Sequence, residues 1–262
     1  MLARTTPLIT FAVCGLIAVH TADAAVVQLQ AQSDNTLFDD PAGSLSNGAG
    51  SYLFAGTTNA LTLRRALLLF DVSSIPAGST INSVGLRVRV SRSASAAEIC
   101  TIHPVLASWG EGSSSSDGAM GGGGGIGATA NDATWTQRFF GSTTPWDAPG
   151  GDFEPDASAT LALASVGTYT FTSSRMAADV TAWLNDPSSN FGYMIRGNEA
   201  DAGTAKRIDS SENATLANRP VLVIDYTPIP TPGLAILPVA ATYMLGDRRR
   251  ATSGLRSSSN VR

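Results

Sequence analysis

The chain has 262 residues, of which 43% are hydrophobic and only 15% charged, with 26 glycines and a formal net charge of −4. Lys206 is its one lysine, and no basic patch interleaved with aromatics lies between the termini. That argues against nucleic acid as a partner, since such binding needs cations to displace phosphate counterions. Abundant small polar residues with few charges suit short strands and turns better than helices.

The opening stretch MLARTTPLITFAVCGLIAVHTADA has one early Arg, an apolar run from Leu8 to Val19, and Ala22-Asp23-Ala24. This is the pattern of a secretory signal peptide over residues 1–24, with the mature chain expected to begin near Ala25. Processing removes Cys14 and leaves Cys100 without an intramolecular partner. In RRALLLFDV the segment from Ala66 to Phe70 is apolar on both faces, as expected of a central strand. After the turn residues of SIPAGSTI, the stretch INSVGLRVRV places Val84, Leu86, Val88 and Val90 on one face and Arg87 and Arg89 on the other. Period-two alternation of this kind predicts a half-buried strand. EICTIHP reads as a further strand, with Cys100 a small buried residue and His103 at a strand end or on the surface.

Residues 110–134 are glycine- and serine-rich and match neither period. They contain G-x-G-x-x-G at Gly122, Gly124 and Gly127, but a nucleotide fingerprint needs a strand before it and a helix after it. The segment is expected to be a long loop inside one domain. Beyond it, TYTFT alternates Tyr169 and Phe171 with threonines. SRMAADVTAWLNDP sets Met176, Val180, Trp183 and Leu184 at helical spacing, with Ser174 as the expected cap and Asn185-Asp186-Pro187 as the stop. FGYMIRG presents Phe191, Tyr193 and Ile195 on one side, and RPVLVIDY closes the region with Leu222, Ile224 and Tyr226 inward. The fold class that follows is all-β: an antiparallel β-sandwich of the jelly-roll type over residues 25–227, with one short helix.

A Pro/Thr linker, residues 228–233, leads into an apolar run from Leu234 to Leu245 and an arginine cluster at Arg248, Arg249 and Arg250. An apolar segment followed by cations is a stop-and-retain pattern. Residues 234–250 resemble the C-terminal sorting signals of the PEP-CTERM type, and residues 251–262 form a polar tail. Contact with the membrane is expected only through this segment, before any processing.

Four stretches in order carry a wider resemblance. They are SDNTLFDDPAGSLSNGAGSYLFAG, RRALLLFDVSSIPAGSTINSVGLRV, ASWGEG with the later ATWTQRF, and RIDSSENATLANRPVLVIDY. From about Val27 to Tyr226 the chain resembles the DNRLRE family of bacterial secreted β-sandwich domains, related to carbohydrate-binding-module-like folds. The resemblance implies fold and export. Some members sit beside polysaccharide-degrading modules and some relatives bind glycans, but the family supplies no catalytic residue.

His103 is the one histidine of the mature chain, so neither a His-rich zinc site nor a Ser-His-Asp triad has a supporting context. No residue is assigned as catalytic. Carboxylates are more plentiful: Glu111, Asp147, Asp152, Glu154 and Asp156 surround the long loop, and Asp209 and Glu212 precede the last strand. Paired acids at the right separation could hydrolyse a glycosidic bond. Several oxygens converging from distant loops could instead hold a structural Ca²⁺, whose ligands the sequence does not assign. No cofactor is required.

The aromatics Trp135, Phe139, Phe140, Trp146 and Phe153 cluster in ATWTQRFFGSTTPWDAPGGDF. They either pin the long loop to the sandwich or stack on sugar faces. For the second role the candidate residues are Trp146, Trp135, Phe140 and Asp147. The expectation is an exported, non-catalytic protein of the envelope or extracellular matrix that binds polysaccharide. A carboxylate-dependent polysaccharide hydrolase or lyase and a purely structural surface protein are the competing readings.

Overall fold

A computed structural model describes residues 23–117 and 120–229. Residues 1–22 of the expected signal peptide (1–24) and the whole of the expected sorting segment (234–250) lie outside the described residues. Among the described residues no helix is long and apolar enough to cross a membrane.

Among the described residues the fold is all-β and sandwich-like, with antiparallel pairing throughout and one α-helix. One sheet contains β1 (Ala25–Gln30), β13 (Val221–Thr227), β6 (Thr80–Ser93), β12 (Lys206–Asp209) and β4 (Tyr52–Thr57) in that order. The 14-residue β6 is its spine, pairing with β13 and then β12 along one edge and with β10 (Gly167–Thr172) along the other. The second sheet runs β2 (Ser33–Phe38), β5 (Leu63–Leu69), β11 (Tyr193–Arg196), β7 (Glu98–Pro104) and β9 (Ala159–Leu163). The end of β4 crosses between them, because Gly56 and Thr57 pair with Arg64 and Leu63 of β5. A two-residue ribbon, β3 (Leu45–Ser46) with β8 (Ile126–Gly127), lies outside both sheets.

The main core forms where the alternation predicts it. Val84, Leu86, Val88 and Val90 of β6 are buried against Ala66 and Leu68 of β5, Cys100 and Ile102 of β7, and Leu222 and Ile224 of β13. Each such aliphatic side chain contributes about 1.5–3 kcal/mol on leaving water. Burial pushes the Cys100 thiol up to about 12, so it is an inert core residue.

Helix α1 (Ser174–Asn185) packs across β6 and buries Met176, Val180 and Trp183 in the same core. Its cap is Ser173, one residue before the expected Ser174; the Ser173 Oγ accepts the Met176 N–H at 3.1 Å. Pairing and packing also correct Phe191. It does not share a face with Tyr193 and Ile195, because β11 begins only at Tyr193. Gly192 turns the chain there at φ +79°, where a Cβ would fall 2.0 Å from the Leu68 carbonyl. Phe191 therefore packs with Trp109, whose indole N–H donates to the Phe191 carbonyl at 2.9 Å.

Ala66 and Leu68 point into the sandwich, while Leu67 points the other way. The outer face of the second sheet is buried too. Leu37, Leu67 and Met194 meet Val105, Trp109, Ala133, Trp135 and Trp146 there in a second apolar cluster. Residues at both ends of the segment between β7 and β9 fold back onto that face, although β7 and β9 are themselves neighbours in the sheet.

Candidate functional site

The expected sugar-stacking residues divide. Trp146 is 4% exposed and Trp135 8%. The Trp146 indole N–H donates to the Thr134 carbonyl at 2.9 Å, and the Trp135 carbonyl accepts the Gly150 N–H at 2.6 Å. Their rings are covered by the strand residues beneath and the loop around them, so neither offers a face to a sugar. The apolar outer surface of β5 and β11 is the reason: it needs covering, and the loop tryptophans cover it. Phe140 is half-buried, its N–H donating to the Asp132 carbonyl at 2.7 Å. Asp147 is exposed and lines a shallow cleft with Leu106, Arg138, Asp152 and Phe153, apart from the buried tryptophans.

Beside that second cluster lies a charged network that the residue pattern did not single out. Arg65 donates to both oxygens of Glu199 at 2.8 and 3.0 Å and to the Gly150 carbonyl at 2.8 Å. Arg196 donates to the same carboxylate. The Arg65 guanidinium also stacks on Trp135 and Phe153. Burial alone would raise the Glu199 carboxyl, but hydrogen bonds from Arg65 and Arg196, and then their charges, outweigh it and bring it to about 2. His103 lies near the end of β7 but is buried rather than at the surface. Its ring bonds the Glu154 carbonyl and Thr101 Oγ1, both at 2.8 Å, and meets Phe153 edge-on. These contacts hold the loop in place.

A different arrangement stands where β6, β12 and the glycine run meet. A cavity of about 510 Å³ is lined by Phe54, Thr57, Thr58, Asn59, Arg64, Arg92, Arg207 and the backbone of Gly121, Gly123 and Gly124. Strict alternation in β6 would carry Arg92 inward. An irregularity in the β6–β12 register instead sets Arg92 directly opposite Arg207, while Val90 still faces Ile208 in the core. The extra residue is Ser91, whose hydroxyl accepts from Arg207 Nε at 3.1 Å. Like charges directly opposite across a strand pair are destabilising. Among the described residues, no carboxylate lies within ion-pair distance of Arg64, Arg92 or Arg207.

Aromatic rings hold two of these guanidinium groups, and Arg92 is exposed. Arg207 lies 3.9 Å over the Tyr52 ring, and Arg64 lies 4.8 Å over Phe38 while donating to the Gly123 carbonyl at 3.2 Å. The glycine run forms the opposite wall. At Gly121, φ is +70°, and a Cβ would stand 3.2 Å from Arg207 Nη1 and 4.0 Å from Arg92 Nη1. The left-handed backbone there favours glycine, and a Cβ would crowd Arg207 Nη1. What the cavity offers chemically is positive charge, hydroxyl and amide groups from Thr58 and Asn59, and an apolar wall at Phe54. The signal for it in the sequence is faint: the glycine run itself, and Arg92 out of phase with Arg87 and Arg89.

The acidic residues scatter, with one exception. Asp156 makes an exposed ion pair with Arg175, Asp152 accepts the Asp147 and Ala148 N–H groups, and Asp209 faces Arg89 at 3.5 Å. Glu111 and Glu212 converge, together with Asp34 of β2. Asp34 was not foreseen, since it sits among the turn-like residues of SDN. No protein-family model matches the chain, and no curated protein matches it either.

Proposed function

We propose that the protein is an exported, non-catalytic β-sandwich protein that binds an anionic polysaccharide in the Arg64–Arg92–Arg207 cavity, at the cell surface or in the extracellular matrix. The observation that carries this reading is the opposed pair Arg92 and Arg207, neither of which forms an ion pair with a carboxylate among the described residues. An anion relieves the repulsion, and charge-assisted hydrogen bonds to guanidinium are the strong ones. A uronate or sulfated sugar supplies that anion and hydroxyls for Thr58 and Asn59. The cavity volume lies in the usual range of small-ligand sites. Export is supported by the signal-peptide pattern, and glycan binding by the resemblance to the DNRLRE family.

Affinity electrophoresis of the full chain through gels holding a polyuronate or a neutral glucan tests the proposal. Retardation by the polyuronate alone is expected, without release of reducing ends. Arg92→Gln and Arg207→Gln each weaken it about 10-fold, the equivalent of one charge-assisted hydrogen bond. Equal retardation in both gels, or unchanged retardation of the variants, would refute the assignment. Depolymerisation of the polymer would move the protein into the enzyme class.

A further inference from the structure

Three distant parts of the chain bring carboxylates to one point. Asp34 stands at the start of β2, Glu111 opens the glycine- and serine-rich segment, and Glu212 lies between β12 and β13. Each offers an oxygen within 4.8 Å of the other two. Hydrogen bonds account for only one oxygen of each group. Asp34 Oδ2 accepts the Ser211 N–H at 2.6 Å, Glu111 Oε1 accepts the Asp34 N–H at 2.8 Å, and Glu212 Oε1 accepts from Ser211 Oγ at 2.7 Å.

Two other oxygens, Asp34 Oδ1 and Glu212 Oε2, are buried with no hydrogen-bond partner among the described residues. Asp34 is 0% exposed. Its carboxyl is raised well above the usual range, first by burial, then by the charge of Glu212 and, more weakly, of Glu111. Burial raises Glu111 as well. Among the described residues, no Lys, Arg or His pairs with any of the three. A buried carboxylate with an open lone pair beside two like charges is costly unless a cation joins it.

We infer that Asp34, Glu111 and Glu212 form a Ca²⁺ site. The donors are all hard oxygens. Ca²⁺ accepts irregular sets of six to eight such oxygens at about 2.3–2.6 Å, so two oxygens across the ion stand about 5 Å apart. Mg²⁺ demands a near-ideal octahedron at about 2.0–2.1 Å and sheds water reluctantly, which suits three carboxylates from three separate segments less well. Solvent and the second carboxylate oxygens complete the shell. The ion ties the first residues of the long loop to β2 and to the β12–β13 connection. Backbone contacts already point the same way: Asn35 Nδ2 donates to the Glu111 carbonyl at 2.9 Å. The site shares no residue with the arginine cavity and stands without the polysaccharide reading.

The test is calorimetric titration of CaCl₂ into the full chain after EDTA treatment and dialysis, with thermal unfolding in EDTA, Ca²⁺ or Mg²⁺. Ca²⁺ should bind near one per chain and raise the Tm by roughly 5 °C at saturating concentration. Glu212→Gln, at a half-buried position, should bind Ca²⁺ at least about 10-fold more weakly and lose most of the Tm gain. In EDTA it should unfold at or above the wild-type temperature, because one of three repelling charges is gone. Glu111→Gln serves as the second variant and should behave alike. The inference is overturned if the folded wild type shows neither heat nor a Tm shift, if both variants keep the full response, or if Mg²⁺ acts equally. Arg92→Gln should keep the whole Ca²⁺ response, so failure of the sugar site and failure of the ion site are separable.

Discussion

Two buried charges show how single residues tie loops to sheets. Glu199 sits between Arg65 and Arg196 and titrates near 2 against an ordinary value of 4.5. A carboxyl whose pKa is depressed on folding adds stability above the unfolded pKa and loses it as pH falls toward the folded one. The contribution is therefore complete at neutral pH and disappears between about 4.5 and 2. Glu199→Gln should cost on the order of 2 kcal/mol in urea unfolding at pH 7 and much less at pH 3. An equal cost at both pH values would show that the network acts through packing alone. Lys206 is the second case. It is 0% exposed, and its ammonium donates to Ser93 Oγ, Ser95 Oγ and the carbonyls of Ser95, Ala96 and Ala164. Burial lowers its pKa, and Glu98 and then Cys100 partly offset that. Lys206→Met keeps the stem but leaves those oxygens unpartnered. It should lower the Tm clearly and loosen the β6–β7 and β9–β10 turns first, as amide exchange would reveal.

At the level of elements, the stretch from Val105 to Ser158 matters most. It has little regular structure, yet its tryptophans complete a second core on the outer face of β5 and β11. Trp146→Ala removes a buried indole and its bond to Thr134, a loss of about 3–5 kcal/mol if nothing collapses. Amides such as Gly110, Ala133 and Phe140, which close the loop on itself, should then exchange faster while β6 and β13 stay protected. Uniform loss of protection would contradict a separately docked segment. This element also marks what sequence reading reaches. Val84 to Val90 announced their strand because one face is wet and the other dry. The helix announced itself through Met176, Val180 and Trp183. Trp146 could not announce its burial, because an aromatic in an aperiodic loop looks the same over a core as over solvent. Leu67 held the missing half: an apolar residue pointing away from the sandwich must be covered by something. Arg92 needed the register irregularity at Ser91, which no alternation rule foresees. Asp34 needed the fold itself, since its partner Ser211 lies 177 residues away.

On the proposed reading, the molecule separates stability from polyanion binding. The interior of the sandwich and the covered face of the second sheet hold the apolar residues. The outer face around β6, β12 and the end of β4 carries Arg92 and Arg207, with Arg64 beside them, although the chain's net charge is −4. A concentrated positive site on an acidic protein attracts polyanions locally and repels them elsewhere, which sharpens selection. The glycine run contributes as the thin wall of that site, not as a nucleotide fingerprint. The most direct test is the affinity of the full chain for a polyuronate oligosaccharide at low and high salt, beside the Arg92→Gln/Arg207→Gln double variant. The account predicts binding that weakens as salt rises and falls at least about 30-fold in the double variant, whose thermal stability is unchanged or higher once the opposed charges are gone. Salt-independent binding, or a double variant that binds as the wild type does, would contradict it.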